Sequence, residues 1–84
     1  MSQEQTTLFN FSEMDTQLTR STLDEVFDAL EERGYNPINQ IVGYLISGDP
    51  GYISSHKEAR KKLLEFERVE VLEVIVKSYL KWDI

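Results

Sequence analysis

The 84 residues allow one domain at most, and a chain this short buries only a modest share of its surface. It has no cysteine, so neither disulfides nor thiolate metal sites can staple it, and oligomerisation is the natural remaining source of core. A formal charge of −6 argues against generic nucleic-acid binding, which draws its affinity from phosphate neutralisation.

Residues 1–17 are polar, rich in Ser, Thr, Gln and Glu, and without a sustained period. They predict a flexible tail, leaving 18–84 as a single helical dimerisation domain. Phe9 and Phe11 stand out in that tail; their alternation suits docking as an extended piece, or simply pins the tail to the core. Met1 to Arg20 lacks both a basic n-region and an apolar h-region, and no apolar run approaches membrane-spanning length. The expectation is a soluble cytoplasmic protein.

The first predicted helix opens at Thr22, which with Glu25 has the spacing of a capping box, Ser21 being the alternative cap. Leu23, Val26, Phe27 and Leu30 then follow as one apolar stripe. Gly34 supplies a left-handed position after the last turn, and Tyr35 covers it. Asn36 reads as the next N-cap and Pro37 as the first helical residue, where a missing N–H costs nothing. Ile38, Ile41, Val42, Leu45 and Ile46 form the stripe of a helix of about three turns. Gly43 interrupts it and signals close approach of another backbone. Gly48 ends this helix, and Asp49-Pro50 repeats the cap-then-proline device for a short turn through Tyr52.

A second capping box, Ser55 with Glu58, predicts a basic helix with Ala59, Leu63 and Phe66 inward. From Val69 onward, β-branched residues suit a strand, but apolar positions 69, 72, 76 and 79 or 80 favour a helix. Whether it starts afresh or continues the preceding helix is open at this level. Val71, Val74 and Ile75 then form a surplus apolar face, which argues for a dimer. The fold class is therefore all-α: four to five short helices, homodimeric, behind an N-terminal tail.

No constellation for catalysis or ligand binding emerges. Gly43 to Gly48 has the glycine spacing of a phosphate-binding loop, but Asp49 and Pro50 stand where Lys and Ser or Thr are needed. His56 is the single histidine and lacks a metal-binding pattern. Ser54 and Ser55 adjoin it in sequence, which is not the spatial geometry of a triad. The reading is a non-enzyme with no catalytic residue, metal or cofactor. Residues 21–35 are acidic and 56–68 basic, which suits two solvated faces or a surface that orients a partner. Arg60, Lys61 and Lys62 permit a runner-up, a small helix-turn-helix-like nucleic-acid-binding or protein-adaptor module. Acidic Glu58, Glu65 and Glu67 on the would-be reading helix weigh against nucleic acid.

All four glycines, both prolines and three of four tyrosines fall in GYNPINQIVGYLISGDPGY, residues 34–52. This block resembles the IreB family of small proteins from Gram-positive bacteria. Leu30 through Ile53 follow the family pattern nearly throughout, notably at Gly34, Tyr35, Asn36, Pro37, Ile38, Asn39, Gln40, Ile41, Val42, Gly43, Tyr44, Gly48, Asp49 and Pro50. The likeness continues weakly at 57–60 and at Glu67-Arg68, then clearly at Val76-Lys77-Ser78-Tyr79-Leu80. Departures are Gly51 for the usual Ala, Ser54 for Pro, and Val69 for Asp. The resemblance implies a compact helical homodimer, with the residues just named as motif and dimer core. It further implies a phosphoprotein, substrate of a transmembrane PASTA-type Ser/Thr kinase and its cognate phosphatase, acting in the cell-envelope stress response and in tolerance of cephalosporins. The implied phosphoacceptor is Thr6, three residues before Phe-x-Phe, or the adjacent Thr7. A second family threonine lies further upstream, where this chain has only Ser2 and Gln3.

Overall fold

The computed structural model describes residues 13–82, with side chains from Asp15 onward. Met1–Ser12, and with them Thr6, Thr7, Phe9 and Phe11, lie outside the described residues. Four α-helices follow in order: α1, Glu13–Glu32; α2, Pro37–Ser47; α3, Ala59–Leu63; and α4, Arg68–Leu80. Two single-turn 3-10 segments, Pro50–Tyr52 and His56–Glu58, join α2 to α3. There is no strand among the described residues, so the all-α reading holds.

Helix α1 runs straight through Ser21 and Thr22, so neither is a cap, and Glu13–Gln17, assigned by sequence to the tail, are helical. The core stripe begins seven residues earlier than the apolar pattern, at Thr16 and Thr19, and continues through Leu23, Val26 and Leu30. Threonines do not score as apolar, yet Thr19 is fully buried because its hydroxyl donates to the Asp15 carbonyl at 2.9 Å. That back-bond satisfies the hydroxyl and leaves its methyl to pack.

The end of α1 matches expectation. Gly34 takes φ +82°, its N–H donates to the Glu31 carbonyl, and the Tyr35 N–H donates to the Leu30 carbonyl. These two bonds are the Schellman arrangement, which satisfies carbonyls the helix leaves bare. Asn36 caps α2 as predicted, its Oδ1 accepting from the Asn39 N–H at 3.1 Å, with Pro37 in the first turn. At the other end Gly48, at φ +77°, donates to the Tyr44 carbonyl, the Ser47 hydroxyl donates to the Gly43 carbonyl, and Arg68 Nη1 donates to the Leu45 carbonyl. Three consecutive carbonyls near the end of the helix, Gly43 to Leu45, thus receive donors. Asp49 caps the Pro50–Tyr52 turn, its Oδ1 accepting from the Gly51 N–H at 2.8 Å.

The second capping box does not form. Ser55 makes no side-chain cap bond; Ser54 does that work instead, its hydroxyl accepting from the His56 N–H at 3.2 Å. Lys57 and Glu58 both sit in the left-handed region, which turns the chain sharply and delays the helix to Ala59. The predicted basic helix is therefore five residues long, though Ala59 and Leu63 are fully buried and Phe66 packs against the core as expected.

Helix α4 is separate from α3, beginning at Arg68 after a turn. Its faces are the reverse of those predicted: Val71 and Val74 point into the core, while Leu72, Val76, Tyr79 and Leu80 are exposed. Arg20 Nη2 donates to the Ser78 hydroxyl at 2.9 Å, whereas Leu23 and Phe27 share a cleft with Leu72 and Ile75, so the two helices are antiparallel. The core joins all four helices, with Val26 and Leu30 of α1, Ile41 and Tyr44 of α2, Leu63 of α3 and Val71 of α4. Each fully buried Leu, Ile or Val contributes about 1.5–3 kcal/mol of transfer free energy.

Candidate interaction surface

The dense block at 34–52 is divided between two duties. Ile41 and Tyr44 serve the chain's own core. Gln40 accepts the Ser54 N–H at 2.9 Å, so the helix also holds the segment that follows it. Gly43 was expected to admit another backbone; what lies against it is the Tyr52 ring of the same chain. A Cβ placed there would stand 2.4 Å from Tyr52 Cδ1, so the missing side chain is the seat of an aromatic ring nine residues on. Sequence reading missed Tyr52 as the partner, although the glycine within an apolar stripe and a tyrosine on the next turn were both visible.

The remaining apolar residues of α2 face outward. Ile38, Val42 and Ile46 join Leu23 and Phe27 of α1 and Leu72 and Ile75 of α4 around an open cleft of about 520 Å³. Asp24 is the one charged residue in its lining. Ile46, 79% exposed, stands at the rim. Beyond the cleft, Val76, Tyr79 and Leu80 prolong the apolar surface along α4 to its C-terminal end, where Trp82 is 65% exposed. Lys81 adopts the left-handed conformation there, and the Trp82 N–H donates to the Lys77 carbonyl at 2.9 Å, which closes the end of the helix. Contiguous apolar surface of this kind marks an interaction site on a small protein.

The acidic and basic runs pair with each other in part. Lys62 Nζ is 3.2 Å from Glu25 Oε1, and Lys57 Nζ is 2.9 Å from Glu32 Oε1, with His56 Nε2 on the same oxygen at 3.2 Å. The Lys57 ammonium, and after it His56, holds the Glu32 carboxyl below the usual glutamate range. Arg60 is likewise engaged, its Nε donating to the Ile53 carbonyl at 2.8 Å. Two of the three cations of the Arg60-Lys61-Lys62 cluster are therefore committed to the fold. The helix that carries this cluster is five residues long.

Among the described threonines, Thr16 and Thr19 are buried and Thr22 is half-buried. The described residues contain no group of three His, Asp or Glu side chains placed to hold a metal ion, and no helix long and apolar enough to cross a membrane.

What these observations define is a small all-helical protein that presents an apolar cleft and a continuing apolar band. Residues 4–81 match the family described as IreB regulatory phosphoprotein, and the chain belongs to that family.

Proposed function

We propose that this chain is a non-enzymatic regulatory phosphoprotein of the cytoplasm. A transmembrane PASTA-type Ser/Thr kinase phosphorylates it in the N-terminal segment, at Thr6 or the adjacent Thr7, and a cognate phosphatase removes the mark. Its output is control of the cell-envelope stress response and of cephalosporin tolerance, and its working form is a homodimer. The observation that carries this reading is the family match across nearly the whole chain. Support for the site comes from the family match together with the sequence, in which Thr6 and Thr7 stand ahead of Phe9 and Phe11 and precede α1. A phosphate there adds about −1.5 to −2 charges and strong acceptor oxygens. Support for the dimer comes from the cleft between α1, α2 and α4, which a self-complementary apolar surface would cover.

The test is to incubate the purified chain with a PASTA-type kinase and map the modified residues. Phosphate is expected on Thr6 or Thr7 and lost in the Thr6→Ala/Thr7→Ala double variant. Undiminished incorporation in that variant would reject the site, and no incorporation at all would reject the kinase-substrate reading.

A further inference from the structure

The turn ahead of α3 is held in one conformation while its sequence suits another. Lys57 and Glu58 stand at φ 51° and 62°, two left-handed residues in a row. Neither has a glycine's freedom there, nor the short polar side chain of Asn or Asp. Ser55 and Glu58 have the spacing of a capping box, yet Ser55 makes no side-chain cap bond and Glu58 makes none either. Right-handed dihedrals at His56–Glu58 would join them to Ala59–Leu63, so that α3 opened on the box its sequence carries. Two sets of contacts hold the left-handed form instead. The local set is backbone: the Glu58 N–H donates to the Ser55 carbonyl at 2.9 Å and the Arg60 N–H to the Ser54 carbonyl at 3.2 Å. The other set is ionic and reaches α1, where Lys57 Nζ and His56 Nε2 converge on Glu32 Oε1 at 2.9 and 3.2 Å. Adjacent positions of an α-helix do not share a face, so a helical 56–58 would not present both side chains to one oxygen. The other carboxylates of this notch do not substitute: Lys62 holds Glu25, and Asp28 bonds neither Lys57 nor His56.

We infer that residues 55–58 are a two-state element, a left-handed turn closed on the Glu32 carboxylate and a helical form in which Ser55 and Glu58 cap a longer α3, with the Glu32 charge choosing between them. Backbone strain of this kind persists only where the surroundings impose it, and one exposed carboxylate is a weak imposition. The element is therefore poised, its second form a minor population that loss of one charge enlarges. Its reach extends past the turn. In the helical form the Arg60 N–H leaves the Ser54 carbonyl for that of His56, four residues back. Ser54 is also the residue whose N–H is held by Gln40 of α2, and the carbonyl of its buried neighbour Ile53 accepts from Arg60 Nε. A charge on the polar face of α1 is thus coupled to the link between α2 and α3. None of this rests on the phosphoprotein reading.

Proton NMR on the full chain distinguishes the two forms. A positive φ brings a residue's own amide and α protons together, which gives a strong intraresidue cross-peak at Lys57 and Glu58. The helical form gives α-to-amide contacts from Ser55 to Glu58 and from His56 to Ala59 instead. Glu32→Gln keeps the side chain's shape and removes its charge. In that variant the ratio of left-handed to helical form is expected to fall roughly five-fold, the upper end of what an exposed ion pair is worth. Salt at about 1 M should move the wild-type chain in the same direction, since it screens the pair without altering any side chain. Glu58→Gly relieves the left-handed strain and removes half of the capping box. Added to Glu32→Gln, it should restore the left-handed cross-peak at Lys57. Cross-peaks unchanged in Glu32→Gln would overturn the inference. Their loss without the helical contacts would do so too, since the turn would then only be frayed. A Glu32→Gln/Glu58→Gly chain that fails to recover the Lys57 signature would also reject it.

Discussion

At the scale of single residues, the pairing of Gly43 with Tyr52 governs the middle of the molecule. Alanine at an interior helix position is ordinarily about 1 kcal/mol better than glycine. Here the added methyl would enter the Tyr52 ring, and overpacking of this kind costs about 1–3 kcal/mol. The second effect is the larger. Gly43→Ala is therefore expected to destabilise the chain by about 1 kcal/mol net, read as a lower urea midpoint. In a Tyr52→Ala background the ring is gone and the same change should become stabilising. Additivity of the two substitutions in this double-mutant cycle would show that they do not interact. The pair also marks a limit of sequence reading: a glycine in an apolar stripe announces a close neighbour but not which one. Backbone, ring and second protomer all fit the pattern until the turn at Asp49-Pro50 folds Tyr52 back.

At the scale of elements, caps were the most legible signals and hidden polar packing the least. Asn36-Pro37, Asp49-Pro50, Gly34 and Gly48 all act as their chemistry dictates, because each solves a local problem with local atoms. The start of α1 was missed because buried threonines imitate a polar tail. The start of α3 was missed because Ser55-x-x-Glu58 satisfies the capping pattern in sequence while Lys57 and Glu58 turn left-handed. A non-glycine residue pays about 1–2 kcal/mol for that conformation, so something must hold the turn. The Glu32 carboxylate, shared by Lys57 and His56, is the visible clamp. Because Glu32 titrates below its ordinary range, its stabilising contribution is present above that range and is lost as pH falls through the lowered value. Glu32→Gln should lower the urea midpoint slightly near neutral pH, and the difference from wild type should shrink below about pH 4. The exposure of the pair keeps the effect small. A difference that stays constant across the acid range would dissociate the clamp from its charge.

For the whole molecule, the all-helical class and the Val26–Leu30 part of the α1 core could be read from periodicity, whereas the inner faces of α2 and α4 could not: of the α2 stripe Ile38, Val42 and Ile46 are exposed, and Tyr44, outside the stripe, is buried. Val71, Val74 and Ile75 on one side and Leu72, Val76 and Tyr79 on the other are both apolar, and hydropathy alone cannot choose the inner face. The surplus of apolar surface survives the reversal, on the opposite side of the helix from the one expected. If that surplus in the cleft is the dimer contact, Val42→Asp should shift the chain toward monomer in light scattering after gel filtration. A burial loss of about 25 cal/mol per Å² acts at each copy of the contact. Circular dichroism should be preserved, since Val42 is 45% exposed and contributes little to the monomer core. A dimer unaffected by Val42→Asp would place the interface elsewhere.

The self-contained stitching of residues 36–54 also bears on the order in which this chain assembles. Asn36 to Asn39, Gly43 to Ser47, Ser47 to Asp49, Asp49 to Gly51 and Gln40 to Ser54 are bonds between residues at most fourteen apart. Arg20 to Ser78 spans 58 residues. That is roughly two doublings of loop length, or about 1.2 kcal/mol more closure entropy for a flexible chain. The glycine- and proline-dense stretch can thus take shape while the flanking helices are still unjoined, and local contacts of this sort shorten the search for the rest.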